Sequence, residues 1–219
     1  MRFSIVRGIT LLIVASLYSQ AQDTPAKELS SKETQGMPPR AAPTEYLSHI
    51  QVGSVTLAAE FTGHSVAPPE GSYESEDFVV VEAAFFGPPG SRLKLSYQDF
   101  SLRINGKKEP TASQPPEFVL KGLKDPQWEP PAAKEKSKTS FGTGGGGQND
   151  SSNAPVHMPI ALLRPIQQRV QKASFPEGER ALPQAGLLFF TYRGKTQNIK
   201  TIDLIYDGPA GKATLPLQP

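Results

Sequence analysis

Residues 78–86 read FVVVEAAFF, and Gly87-Pro88-Pro89-Gly90 closes the run. An almost continuous apolar stretch of this length, bounded by turn residues, suits a β-strand buried on both faces. Outward from it the pattern continues in both directions. In 92–104, Leu93, Leu95 and Tyr97 lie on one face, while Phe100, Leu102 and Ile104 fall on the other parity. A parity change near Asp99 is what a bulge or a sheet-crossing bend produces. Asn105-Gly106 follows at once, a pair that signals a hairpin turn. Upstream, Ile50, Val52, Val55, Leu57 and Phe61 predict a first strand with an irregularity near Gly53. Between them, Pro68-Pro69 through Asp77 reads as an acidic loop. Downstream, FVLKGL (118–123) predicts a further short strand.

The pattern then lapses. Residues 125–157 combine Pro126, Pro130 and Pro131 with the lysine-rich KEKSK, the run Gly144 to Gly147, and QNDSSN. Such a stretch cannot bury a core and reads as disordered. Beyond it, 159–173 (PIALLRPIQQRVQKA) predicts the one amphipathic helix, with Leu163, Ile166, Val170 and Ala173 as its apolar stripe. Pro159 fits a first turn, and Pro165 is expected to kink or restart the helix. Strands are predicted at 186–192, 199–206 and 212–217. The disordered stretch is either a linker between two domains or an insertion within one. Size favours one: separately the two pieces are small, and together they bury proportionally more surface. A long surface loop adds only ~0.6 kcal/mol per doubling of its length. Residues 45–219 are therefore expected to form a single β-sandwich interrupted at about 125–157.

The blocks LSYQDFSLRINGKK, GLLFFTYRGK and IDLIYDG resemble those of exported DUF4352-type proteins with an immunoglobulin-like sandwich. The matching residues are Asp99, Phe100, Leu102, Asn105, Gly106 and Lys107, then Gly186, Phe189, Leu204 and Tyr206. The resemblance implies an immunoglobulin-like antiparallel fold and carries no common activity. This chain departs from that group in having no lipoprotein cysteine and in carrying the insertion and helix between the blocks.

The N-terminus supplies an address. Arg2 and Arg7 precede the short apolar run Ile9 to Leu17, and Ser19-Gln20-Ala21 provides small residues for cleavage. That is the secretory signal pattern, too short to span a bilayer, which needs ~20 apolar residues. Residues 1–21 are thus expected to be removed after Ala21, leaving a periplasmic or secreted product. Residues 22–44 are polar and proline-bearing, and read as a flexible leader. The chain's 23 basic and 21 acidic residues give +2, and removal of Arg2 and Arg7 balances them. A neutral mature chain gives no electrostatic reason to expect nucleic acid as a partner. With no cysteine among its 219 residues, the chain can form no disulfide scaffold, thiolate zinc site or thiol nucleophile.

No motif for catalysis is legible. There is no Gly-x-Ser-x-Gly elbow. Gly194-Lys195-Thr196 resembles the end of a phosphate loop, but Phe189 stands where its first glycine is required. The histidines, His49, His64 and His157, lack metal-ligand spacing. A site using His49 and His64 with Glu60, Glu70 or Asp77 requires the fold to bring them together. The acidic run Glu70, Glu74, Glu76, Asp77 lacks the calcium-loop rhythm. Asn149-Asp150-Ser151 is a glycosylation sequon, relevant only in a eukaryotic secretory pathway. For partner contact, Trp128 in an extended proline segment and the basic side chains Arg164, Arg169 and Lys172 of the helix stand out. The expected function is a non-enzymatic exported binding or scaffolding module, without cofactor, for an unidentified envelope or extracellular protein or polymer. A small-ligand or metal-binding protein, or a hydrolase with an unrecognised site, are the alternatives.

Overall fold

The computed structural model describes residues 35–124 and 159–219. The expected signal peptide, the insertion with Trp128, and His157 lie outside the described residues. The first strands are β1 (Ser48–Val52), β2 (Val55–Gly63), β3 (Ser65–Val66), β4 (Tyr73–Ser75) and β5 (Phe78–Phe86). They are followed by β6 (Arg92–Leu95), β7 (Phe100–Ile104), β8 (Thr111–Gln114) and β9 (Leu123–Lys124). The last are β10 (Gly178–Ala181), β11 (Gln184–Thr191), β12 (Ile202–Gly208) and β13 (Gly211–Leu217). A single-turn helix α1 (Pro116–Val119) and the longer α2 (Ile160–Ala173) complete the set.

Eight strands form one antiparallel sheet in the order β1-β2-β5-β11-β8-β7-β12-β13, and it folds over on itself. β8 is the corner: Thr111 and Ala112 pair with β7, while Ser113 and Gln114 pair with β11. The halves face each other across one core, where the Phe85 ring meets Tyr206 at 5.1 Å and Phe100 at 6.1 Å. At the far rim the outermost strands meet, with Ser48 Oγ donating to Pro216 O at 2.7 Å. The fold is therefore mainly β, an antiparallel sandwich with one amphipathic helix. β11 lies between β5 and β8, and β12 pairs with β7, so strands from both sides of the insertion share one sheet.

FVVVEAAFF occupies β5 and is covered on both faces. Val79, Val81, Ala83 and Phe85 point into the sandwich, while Val80 and Ala84 pack in separate clusters on the outer face. α2 covers that outer face with Ile166, Val170 and Ala173, against Val80, Leu187 and Phe189. A buried isoleucine or valine contributes ~2 kcal/mol through area removed from water and alanine less, so the helix is held by its stripe. It runs through Pro165 as one element, and Leu163 is only half-buried. After Ala173 the chain rounds the edge of β11 and inserts Phe175 into the core, 5.1 Å from the Phe100 ring. Gly186 makes this possible: an added Cβ would stand 2.5 Å from Phe175 Cα.

The parity change near Asp99 is a change of partners. β6 pairs with β10, a 3-10 turn covers Tyr97–Asp99, and β7 then joins the main sheet. Asn105 and Gly106 make the turn after β7 at φ 53° and 64°. Asn105 Oδ1 also accepts from Lys200 N at 2.7 Å, and its Nδ2 donates to Asn198 O at 2.9 Å.

Four expectations need correction. The acidic stretch 68–77, expected to be a loop, contains β4, which pairs with β3 and β9 and buries Tyr73 and Ser75. The strand across Gly53 is two strands, since Val52 pairs with Val55 around a tight turn. Gly53 adopts φ +56°, and an added Cβ would stand 2.7 Å from Ala210 O, so both backbone conformation and space select glycine. FVLKGL is not a strand over its length: Pro116 starts the turn of α1, and pairing begins only at Leu123. Residues 35–44, expected within the flexible leader, are packed. Gly36 N donates to Lys172 O at 2.8 Å and Met37 N to Ala185 O at 2.7 Å.

Candidate binding groove

This packed segment, a strap across the outer face of the sheet, is anchored by Arg40. On that face Glu60 of β2 and Glu82 of β5 are direct cross-strand partners. Arg40 Nη1 reaches Glu60 at 2.6 Å and Nη2 reaches Glu82 at 2.9 Å. The guanidinium also lies 4.3 Å from the centre of the Tyr46 ring, a cation–π contact. Partial burial works against the charge on Arg40, but the hydrogen bonds to Glu60 and Glu82 outweigh it and raise its pKa. Tyr46 is 3% exposed, and burial pushes its hydroxyl up to about 12.

Between the strap, α2 and the Pro68–Glu70 turn lies a groove of about 370 Å³. Met37, Pro38, Pro68 and Pro69 give it apolar walls, and Arg169 and Lys172 contribute its cations. Helical geometry explains the pairing: residues three apart lie on one side of a helix, here the side flanking the buried stripe. Arg169 is fixed from below, with Nη1 donating to the buried Tyr73 hydroxyl at 3.0 Å and Nε 3.5 Å from Glu70. The Tyr73 contact, followed by Glu70, raises its pKa. Lys172 is held only by its backbone, and its ammonium has no ion-pair partner among the described residues.

The fold therefore gathers two of the four residues expected at a partner surface. Arg164 does not line the groove, but lies on the exposed crest of α2 about two turns upstream of Lys172. Trp128 lies outside the described residues. The groove's other wall was not legible, because Met37 and Pro38 belong to the expected leader.

The histidine alternative fares differently. His49 pairs with Ala58, and His64 lies six residues further along the hairpin, roughly 20 Å away at 3.3 Å per residue. Both ring nitrogens of His64 are engaged at 2.8 Å by the carbonyl oxygens of Phe78 and Gly194. Each acid named as a further ligand is paired with an arginine: Glu60 with Arg40, Glu70 with Arg169, Asp77 with Arg193. Among the described residues no group of three or more ligating side chains is placed to hold a metal ion. No described helix is long and apolar enough to cross a membrane. Compared with protein-family models, curated proteins and solved structures, the chain matches none.

Proposed function

We propose that the protein is an exported, non-enzymatic binding module of the cell envelope or extracellular space, and that it engages its partner through the groove beside α2. The observation carrying this reading is the convergence of Arg169 and of Lys172, which has no ion-pair partner among the described residues, on a cleft with apolar walls. A few oriented polar groups in an apolar concavity are the usual composition of a recognition site. The likeness to immunoglobulin-like DUF4352-type proteins fits a role in which the sandwich is a platform. The signal-like N-terminus supports export, and N-terminal sequencing of the processed product, beginning at Gln22, tests that part.

The binding part is tested in the protein's own cell fraction. A photo-crosslinking residue replaces Gln184 at the groove in the tagged mature chain, and a second placed at Lys212 on β13 serves as the remote control. The expected result is a discrete adduct from position 184 alone, competed by untagged protein and lost on Lys172→Glu. An adduct pattern identical from both positions and indifferent to Lys172→Glu refutes the groove as the contact surface.

A further inference from the structure

We infer that the groove and the crest of α2 take an acidic, extended peptide segment whose carboxylates recur every fourth residue. This rests on the groove being the module's contact surface. α2 carries Arg164, Arg169 and Lys172 and no acidic residue along Ile160–Ala173. Arg169 shares its charge with Glu70, whereas Arg164 and Lys172 have no ion-pair partner among the described residues. The exposed face of the helix is thus a net-positive strip, compensated by Glu70 only at Arg169 and bordered by the apolar wall at its Lys172 end, complementary to a negatively charged segment.

Spacing narrows the class. Arg164 and Lys172 are eight residues apart on α2, ~12 Å along the axis and ~80° around it, so at a radius of ~5–6 Å they stand roughly 14 Å apart. An extended peptide advances ~3.3 Å per residue and turns alternate side chains to the same face. Carboxylates four residues apart therefore share a face and stand ~13 Å apart, matching the two free cations. At three apart they point to opposite faces. Gln168, between the two cations on the helix, faces the intervening same-side position and offers an amide to it. Met37, Pro38, Pro68 and Pro69 then contact the segment at its Lys172 end.

The test uses the mature chain and a labelled glycine–serine peptide bearing two glutamates four residues apart, followed by fluorescence anisotropy. Comparison peptides carry the glutamates three apart, or two lysines four apart. The expected result is salt-sensitive binding of the first peptide, weakened about threefold by Lys172→Ala and about tenfold by Arg164→Glu with Lys172→Glu. The doubly reversed protein then prefers the lysine peptide, a gain that no folding defect produces. Equal binding of all three peptides, absence of binding, or preference for phosphatidylglycerol vesicles over the peptide overturns the inference. If the peptide fails while crosslinking at position 184 still depends on Lys172, the acidic-peptide reading falls and the groove reading stands. If both fail, both fall.

Discussion

Replacing Arg40 with methionine tests whether the strap is held electrostatically. Glu60 and Glu82 are paired across β2 and β5, an arrangement of like charges that by itself destabilises a sheet. Their side chains are 26% and 12% exposed, so water screens them only in part. Two carboxylate charges ~5 Å apart at an effective dielectric of about 20 repel by ~3 kcal/mol. Rotation apart and residual hydration reduce this to ~1–2 kcal/mol. Arg40→Met also removes the charge-assisted hydrogen bonds to Glu60 and Glu82, worth ~1 kcal/mol each at this exposure, and a more exposed one to the Glu45 carbonyl worth less, while methionine keeps most of the stem's packing. The expected destabilisation is ~3 kcal/mol, read as a lower urea midpoint with an unchanged slope.

The same arithmetic fixes a second variant. Arg40→Met with Glu82→Gln removes the like-charge pair and should recover ~1–2 kcal/mol relative to Arg40→Met alone. Limited proteolysis should locate the loss, with cleavage in residues 35–44 appearing first. A change under ~0.5 kcal/mol for Arg40→Met, or no recovery in the double variant, refutes the electrostatic account. In the second case Arg40 acts through packing against Tyr46, and the acidic pair is tolerated on its own.

Two further outcomes follow from the packing. Gly186→Ala places a Cβ 2.5 Å from Phe175 Cα and 2.8 Å from its nitrogen, both backbone atoms that cannot step aside singly. The variant should lose ~3 kcal/mol or more in urea unfolding as the Phe175 insertion is displaced, and wild-type stability contradicts that geometry. Tyr46 contributes to alkaline stability, since its folded pKa of about 12 lies above the ordinary phenol value. Between pH 10 and 12 the unfolded chain releases a proton that the folded chain retains, so stability is unaffected below pH 10 and falls through that window. Two units correspond to at most ~2.7 kcal/mol, and ~1–2 after allowing for solvent at the hydroxyl. Tyr46→Phe should flatten the decline without abolishing it, because burial raises Tyr206 as well; identical slopes contradict it.

The elements readable in the sequence are those whose cause is local. FVVVEAAFF needs only its own composition to declare a doubly covered strand, and the Ile166–Val170–Ala173 stripe needs only helical periodicity. Asn105-Gly106 needs only the preference of those residues for positive φ. What escaped reading has distant causes. Arg40 in a proline-bearing leader looks like any solvated arginine, and its partners stand 20 and 42 residues away. No periodicity links them. β8 escaped because TASQ has no apolar pattern, although it joins the two halves of the sheet. Pro116 carried the signal that FVLKGL begins as a helical turn, since proline is favoured in the first turn of a helix.

For the candidate site, the helix half was legible and the strap half was not, and this bears on how the module meets a partner. Sandwiches often bind by adding a strand at a free edge. In the eight-stranded sheet that route is obstructed. β1 and β13 meet at the rim through Ser48 and Pro216, and Pro216 has no N–H to offer an added strand. The second edge of β11 is covered in pieces: by β8 at Phe189 and Phe190, by Ser174 at Leu187, and by Met37 at Ala185. The strap therefore does two things at once. It occupies hydrogen-bonding backbone that would otherwise pair with another chain, and it raises the wall that makes the groove. An edge without the strap would recruit strands indiscriminately through main-chain bonds, whereas the strapped surface selects by charge and shape through Arg169, Lys172 and the proline walls. Loss of Arg40 is then expected to weaken acidic-peptide binding although Arg40 lines no part of the groove.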